Sequence, residues 1–255
     1  MNFPGKTLLP YFTAGWPDPE RFLEGVQGAA EAGCKAFEIG IPFTDPVADG
    51  PVVQRTSKQA LESGVSLDRA LELMQEATRR SGLAAVAMTY ANLIYRQGVD
   101  NVCRRLYVAG ARGLIIPDVP LEEGEMFERA ASEAGLDFIY LCAPNTPLER
   151  VKLLAERTRG FLYLVSVKGV TGARSELPAE LGQLIRDVKE RCDKPVFVGF
   201  GISRPDQVAE ITRSADGAIV GSALLERIEQ MQPGQDRAGV REYLAGLQAA
   251  TQKPV

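Results

Sequence analysis

Three stretches, "AAEAGCKAFEIG" (29–40), "LYVAGARGLIIPD" (106–118) and "ASEAGLDFIYLCAP" (131–144), repeat one design. Each closes a helical pattern in Ala-Gly, skips two or three residues and then runs apolar. Gly33, Gly110 and Gly135 suit the left-handed position that ends a helix, and the run after each suits a strand buried on both faces. "TRSADGAIVG" (212–221) is a variant of the same joint. Repeated helix-to-strand joints imply strands that all point one way, hence a parallel sheet.

Working outward from those joints gives eight strand candidates: Thr7–Thr13, Ala36–Gly40, Ala84–Tyr90, Gly113–Ile116, Phe138–Cys142, Phe161–Ser166, Pro195–Phe200 and Ala218–Val220. Between them lie patterns with apolar residues at i, i+3, i+4 and i+7, such as "PERFLEGVQGAAEA" and "SLDRALELMQEATRR". Eight such units in 255 residues predict an α/β fold, a single (β/α)8 TIM barrel spanning 1–255. The gap after the second strand is too long for one helix, so "PVVQRTSKQALES" (51–63) reads as an extra helix; the tail from Arg237 to Gln252 reads as a C-terminal one. A doubly wound open sheet is the competing architecture, and the lack of G-x-G-x-x-G after the first strand counts against its dinucleotide-binding form.

Composition narrows the class. With 45% hydrophobic and 24% charged residues the chain reads as a compact globule. A net charge of −4 gives no general basic surface for nucleic acid or anionic lipid. No apolar segment approaches the roughly 18 residues of a membrane span. Cys34, Cys103, Cys142 and Cys192 are scattered, form no C-x-x-C pair, and meet no histidine anywhere in the chain, so no usual zinc set exists. Buried thiols in a reducing cytoplasm are the expectation.

A barrel of this kind carries its chemistry at the C-terminal ends of its strands. There "FEIGIPFTDPVADGP" (37–51) places Glu38 at a strand end and Asp45 and Asp49 in a loop stiffened by Pro42, Pro46 and Pro51. Asp118 ends the fourth strand in "IIPD", Tyr90 closes the third, Tyr11 lies in the first and Tyr163 in the sixth. Taken singly, Asp45 and Asp49 are also good turn residues. Without histidine, acid–base work falls to carboxylates, and a glutamate screened from water can hold its proton to near neutral pH. Three glycine clusters follow: "KGVTGAR" (168–174), "GFGIS" (199–203) and "VGSALLERIEQ" (220–230). Glycine admits close backbone approach, and Gly221-Ser222 at a helix start aims free N–H groups at an anion. A phosphorylated small molecule is the expected ligand. Lys168 is the covalent candidate, as a Schiff-base lysine, against a solvated loop lysine beside the phosphate.

The segments "FEIGIPFTDPVADGP", "IIPDVP", "SVKGVTGAR", and "GFGIS" followed by "IVGSALL", resemble the tryptophan synthase alpha subunit family in order along nearly the whole chain. That resemblance implies a cofactor-free retro-aldol cleavage of indole-3-glycerol phosphate to indole and glyceraldehyde 3-phosphate. It implies Glu38 as the group that protonates the indole carbon and Asp49 as the partner of the indole N–H. It further implies Gly172, Gly201, Gly221 and Ser222 as phosphate contacts, Thr171 as a loop residue closing over substrate, and Tyr163 as a substrate contact. Tyr11, Tyr90 and Phe200 align with lining positions, and Asp45 and Asp118 with contacts to a beta subunit. The implied assembly is αββα, with pyridoxal phosphate only in the beta subunit and no metal. Val167 and Trp16 depart from residues that some members carry. A stand-alone lyase and a largely non-catalytic, allosteric phosphate-binding subunit are the alternatives.

Overall fold

The structure, a computed structural model, describes residues 1, 3, 5–165, 180–199 and 201–252. Its strands are β1 (Thr7–Thr13), β2 (Ala36–Gly40), β3 (Ala84–Met88), β4 (Ala111–Ile115), β5 (Asp137–Ile139), β6 (Leu141–Cys142), β7 (Leu162–Val165), β8 (Val196–Gly199) and β9 (Gly217–Val220). All pair in parallel in the order β5-β4-β3-β2-β1-β9-β8-β7-β6. The two ends of that order, β5 and β6, are the single strand expected at 138–142, interrupted at Tyr140. The sheet therefore closes into a barrel of eight staves. Tyr140 breaks the ladder because its N–H donates to the Thr158 hydroxyl at 3.0 Å, while its carbonyl accepts from Tyr163 at 3.1 Å and keeps the seam shut.

The third strand stops at Met88, two residues before its expected end, because Tyr90 already stands at the start of the helix Ala91–Gln97. The last residues expected in the sixth and seventh strands, Ser166 and Phe200, lie outside the described residues. Gly33, Gly110 and Gly135 carry φ of +89°, +100° and +86°, so the three joints turn as their sequence predicts. The extra helix spans Pro51–Glu62 and the C-terminal one Asp236–Ala250.

Period-two alternation along the strands divides the apolar side chains into two layers. Outward residues such as Phe12, Phe37 and Ile39 join the helix-facing core, where the Phe12 ring meets Phe22 and Phe37 edge-on, each at 6.3 Å. Inward residues Leu9, Ala36, Val86, Ile115, Ile139, Phe161, Phe197 and Ile219 fill the barrel, and Phe161 stacks on Phe197 at 4.4 Å. Phe3 closes this inner layer from the N-terminal end of the strands, 5.0 Å from Phe197. The barrel floor is thus solid hydrocarbon. Glu38, two residues beyond Ala36 on the inward face, stands directly on it. Among the described residues no helix is long and apolar enough to cross a membrane.

Candidate active site

A cavity of about 320 Å³ opens at the C-terminal ends of the strands. Tyr11, Glu38, Asp49, Tyr163, Gly201, Gly221 and Ser222 all line it, so seven of the residues singled out in the sequence meet in one place. Glu38 is 1% exposed, and its Oε2 has no hydrogen-bond partner among the described residues. Burial, and secondarily the charge of Asp49, push its carboxyl up to about 8. An ionised carboxylate without a partner is expensive in hydrocarbon, so the proton stays on at neutral pH.

Asp49 is handled in the opposite way. The Tyr90 hydroxyl donates to its Oδ2 at 2.9 Å, stabilising the charged form, while burial pushes the carboxyl up to about 6. The two acids therefore straddle neutrality, Glu38 protonated and Asp49 ionised. The loop that carries Asp49 is tied down along its length. Ser57 of the extra helix donates to the Phe43 carbonyl at 3.1 Å and accepts from the Phe43 N–H at 3.0 Å. Gln54 donates to the Asp49 carbonyl at 2.8 Å, the Asp49 N–H reaches the Pro46 carbonyl at 3.0 Å, and the Phe43 ring stacks on Tyr90 at 5.1 Å. The Ala48 N–H donates to the same Tyr90 hydroxyl at 3.1 Å, so one phenol fixes both loop and carboxylate.

The opposite end of the cavity is built from backbone. Gly201 has φ of +67°, the left-handed region that favours glycine. The helix Ser222–Gln230 begins at the cavity wall with no side chain among the described residues capping it, which leaves first-turn N–H groups for a ligand. Among the described residues lining the cavity there is no lysine or arginine. The walls between the two ends are apolar: Val53, Met88, Leu141 and Ile219 among them.

Other expectations fall elsewhere. Asp45 is exposed and accepts from its neighbour Thr44 at 2.7 Å, and Asp118 caps the helix Ala91–Gln97 by accepting from the Ala91 N–H at 3.0 Å. Both lie at the rim, outside the cavity lining. Thr171, Gly172, Lys168 and Phe200 lie outside the described residues. Tyr90, expected as a lining residue, is not among the residues that line this cavity; it is the direct donor to Asp49. Met88, Leu141 and Ile219 were not singled out in the sequence. Counting inward positions across the register from Glu38 is the signal that finds them.

Comparison with known proteins gives one consistent result. The family model for the tryptophan synthase alpha chain matches residues 3–252. The tryptophan synthase alpha chain of Carboxydothermus hydrogenoformans is 45% identical over 241 residues, 94% of this chain and 90% of the relative. That of Chloroflexus aggregans is 44% identical over 247 residues, 96% of this chain and 92% of the relative. Among solved structures, Mycobacterium tuberculosis tryptophan synthase superposes with a TM-score of 0.89 at 36% identity, covering 98% of this chain and 94% of that one. The tryptophan synthase α2β2 complex of Pyrococcus furiosus gives a TM-score of 0.89 at 38% identity, covering 96% and 99%.

Proposed function

The chain belongs to the tryptophan synthase alpha chain family and cleaves indole-3-glycerol phosphate in tryptophan biosynthesis, and we propose how its residues divide that work. Glu38, holding its proton, delivers it to the indole ring carbon that bears the glycerol chain. The ring becomes an iminium whose N–H Asp49 binds as a carboxylate. The carbon–carbon bond then breaks, and its electron pair returns to the ring and quenches the cation. The hydroxyl on the leaving carbon gives its proton to the ionised Glu38 as the aldehyde forms, which resets the acid. Indole and glyceraldehyde 3-phosphate leave with Glu38 unchanged. The observation that carries this reading is the buried Oε2 of Glu38, unpartnered among the described residues, in the same cavity as an aspartate already held by Tyr90.

The phosphate sits on backbone N–H groups around Gly201, Gly221 and Ser222, with Gly172 and Thr171 from the loop after the sixth stave closing the site. Tyr163, Tyr11 and Phe200 contact the bicyclic ring. The barrel acts as one domain, in the cytoplasm, and pairs with a beta subunit in an αββα assembly, as the structural neighbours do. Asp45 and Asp118, exposed at the rim, belong to that contact. The test is indole release from indole-3-glycerol phosphate by the wild type, Glu38→Gln and Asp49→Asn, with and without beta subunit. Loss in both variants, with partner acceleration of the wild type, is the expected result. A wild-type rate that neither substitution changes would sink the two-carboxylate scheme.

A further inference from the structure

Behind the substrate cavity lies a far smaller one, of about 10 Å³, whose lining includes Tyr11, Thr13, Gly40, Asp49, Ser57 and Tyr90. Tyr11 and Asp49 line both cavities and so form part of the partition between them. The Tyr11 hydroxyl reaches this space only because Gly40 lacks a side chain: a Cβ there would collide with the phenol oxygen.

Most polar groups around the small cavity are already engaged. Ser57 exchanges both its bonds with Phe43, and the Tyr90 hydroxyl donates to Asp49 and accepts from Ala48. Thr56 donates to the Val53 carbonyl at 3.0 Å, so in the 2.7 Å contact between the two threonines Thr13 is the donor and keeps its oxygen as an acceptor. The Tyr11 hydroxyl is hydrogen-bonded to the Thr13 side chain, and with the Thr13 proton on Thr56 it is Tyr11 that donates there. Two groups retain acceptor capacity: the Tyr11 oxygen and the Asp49 carboxylate. A buried water needs room for about one probe sphere and two to four polar partners. The small cavity provides both.

We propose that this back cavity binds one ordered water through which the Tyr11 hydroxyl acts on Asp49, which makes Tyr11 a positioning residue for that carboxylate. The inference rests on the reading of Asp49 as the ionised partner of the indole N–H. Four titratable groups face Asp49: Glu38 from β2, Tyr11 from β1, Tyr90 after β3 and Tyr163 from β7. Neither cavity has a lysine or arginine among its described lining residues. Burial, followed by the Asp49 charge, holds the Tyr11 phenol well above its usual range, so it stays protonated at every working pH. The water donates one proton to the Tyr11 oxygen and the other to the Asp49 carboxylate. A donor that stabilises the charged aspartate lowers the pH at which Asp49 protonates.

Two measurements test this: the pH dependence of indole release by wild type, Tyr11→Phe and Tyr90→Phe, and a high-resolution crystal structure of the wild-type chain. Tyr11→Phe keeps the ring wall, so KM stays within about twofold, while the acid limb of kcat rises by about half a pH unit. Tyr90→Phe, which removes the direct donor, moves that limb further. Solvent density in the back cavity, within hydrogen-bond reach of the Tyr11 hydroxyl and Asp49, is the crystallographic expectation. A folded Tyr11→Phe with the wild-type pH profile overturns the proposal, and so does a dry back cavity in the wild type, whether or not the variant folds. Failure of the underlying reading looks different: Asp49→Asn would release indole at the wild-type rate.

Discussion

The two ends of the substrate cavity solve opposite problems with opposite materials. Toward β1, β2 and β3 the site consists of the buried side chains Glu38, Tyr90 and Tyr11 and the half-buried Asp49, whose protonation the hydrocarbon floor and each other's charges control. Toward β8 and β9 the described lining carries no cation, and in the proposed reading an anion meets glycine backbone and the start of a helix. Proton transfer needs groups that change charge near pH 7. Holding a phosphate needs groups that do not. The first end is therefore sensitive to pH and to the loss of one atom, the second to an added Cβ or a changed φ.

The sharpest way to break that contrast is Glu38→Gln. Removing a general acid costs about 10²- to 10⁴-fold in rate, and in the proposed scheme the same residue also serves as the base, so kcat should fall to the far end of that range. Binding of glyceraldehyde 3-phosphate, followed by calorimetry, should stay near wild type because the anion end is untouched. Equal loss of both would show that the two ends are one unit. Stability offers a second reading of the same substitution. Glu38 titrates near 8 in the folded chain and near 4.5 when unfolded, so between those values the folded state holds a proton that the unfolded state has released. Wild-type stability therefore falls as pH rises from about 4.5 to about 8. Glu38→Gln removes the Glu38 share of that slope and leaves the part below about 6 that Asp49 contributes, and urea midpoints across the window measure both.

Asp49→Asn comes next, with a loss of about 10²-fold from an interaction made fully only as the ring cation forms. In the intact chain the same pair predicts a bell-shaped pH dependence of kcat. The acid limb near 6 comes from Asp49, which must be ionised, and the alkaline limb near 8 from Glu38, which must be protonated. A single limb, or a plateau running past pH 9, would show that one of the two acids plays no part in turnover.

That contrast also explains how much of the molecule could be read from its sequence. The barrel was legible because each helix-to-strand joint announces itself by Ala-Gly and an apolar run, and those joints turn as expected at Gly33, Gly110 and Gly135. The break at Tyr140 was not, because it depends on Thr158, eighteen residues away, capturing an amide that the ladder would otherwise use. Glu38 and Asp49 stood out because charge in an apolar or proline-rich stretch demands a use. The Tyr90 bond to Asp49 stayed hidden, since an aromatic residue at a strand end looks like any wall residue until the loop folds over it. At the other end the glycine clusters pointed to an anion, but they could not say which N–H groups face it. Backbone sites are written in conformation, and a sequence records conformation only through glycine and proline.

The smaller effects lie at that second end, and they distinguish conformation from crowding. Gly201→Ala forces a side chain into the left-handed region, where a non-glycine residue costs about 1–2 kcal/mol. If the loop escapes that strain by rotating its N–H away from the phosphate, KM rises by about tenfold. Gly221→Ala meets no such barrier: its φ is −112°, and an added Cβ would find its nearest neighbour, the Tyr11 Cβ, at an ordinary 3.6 Å. The new methyl only narrows the cavity wall, so KM should rise by at most about tenfold, the low end of the scale for one misplaced carbon in a pocket. In both variants kcat and the two pH limbs should match the wild type, because no titrating group has moved. A shifted acid limb in Gly221→Ala would mean that Tyr11, pushed from behind, carries the disturbance across to Asp49. The two ends would then communicate through that one ring.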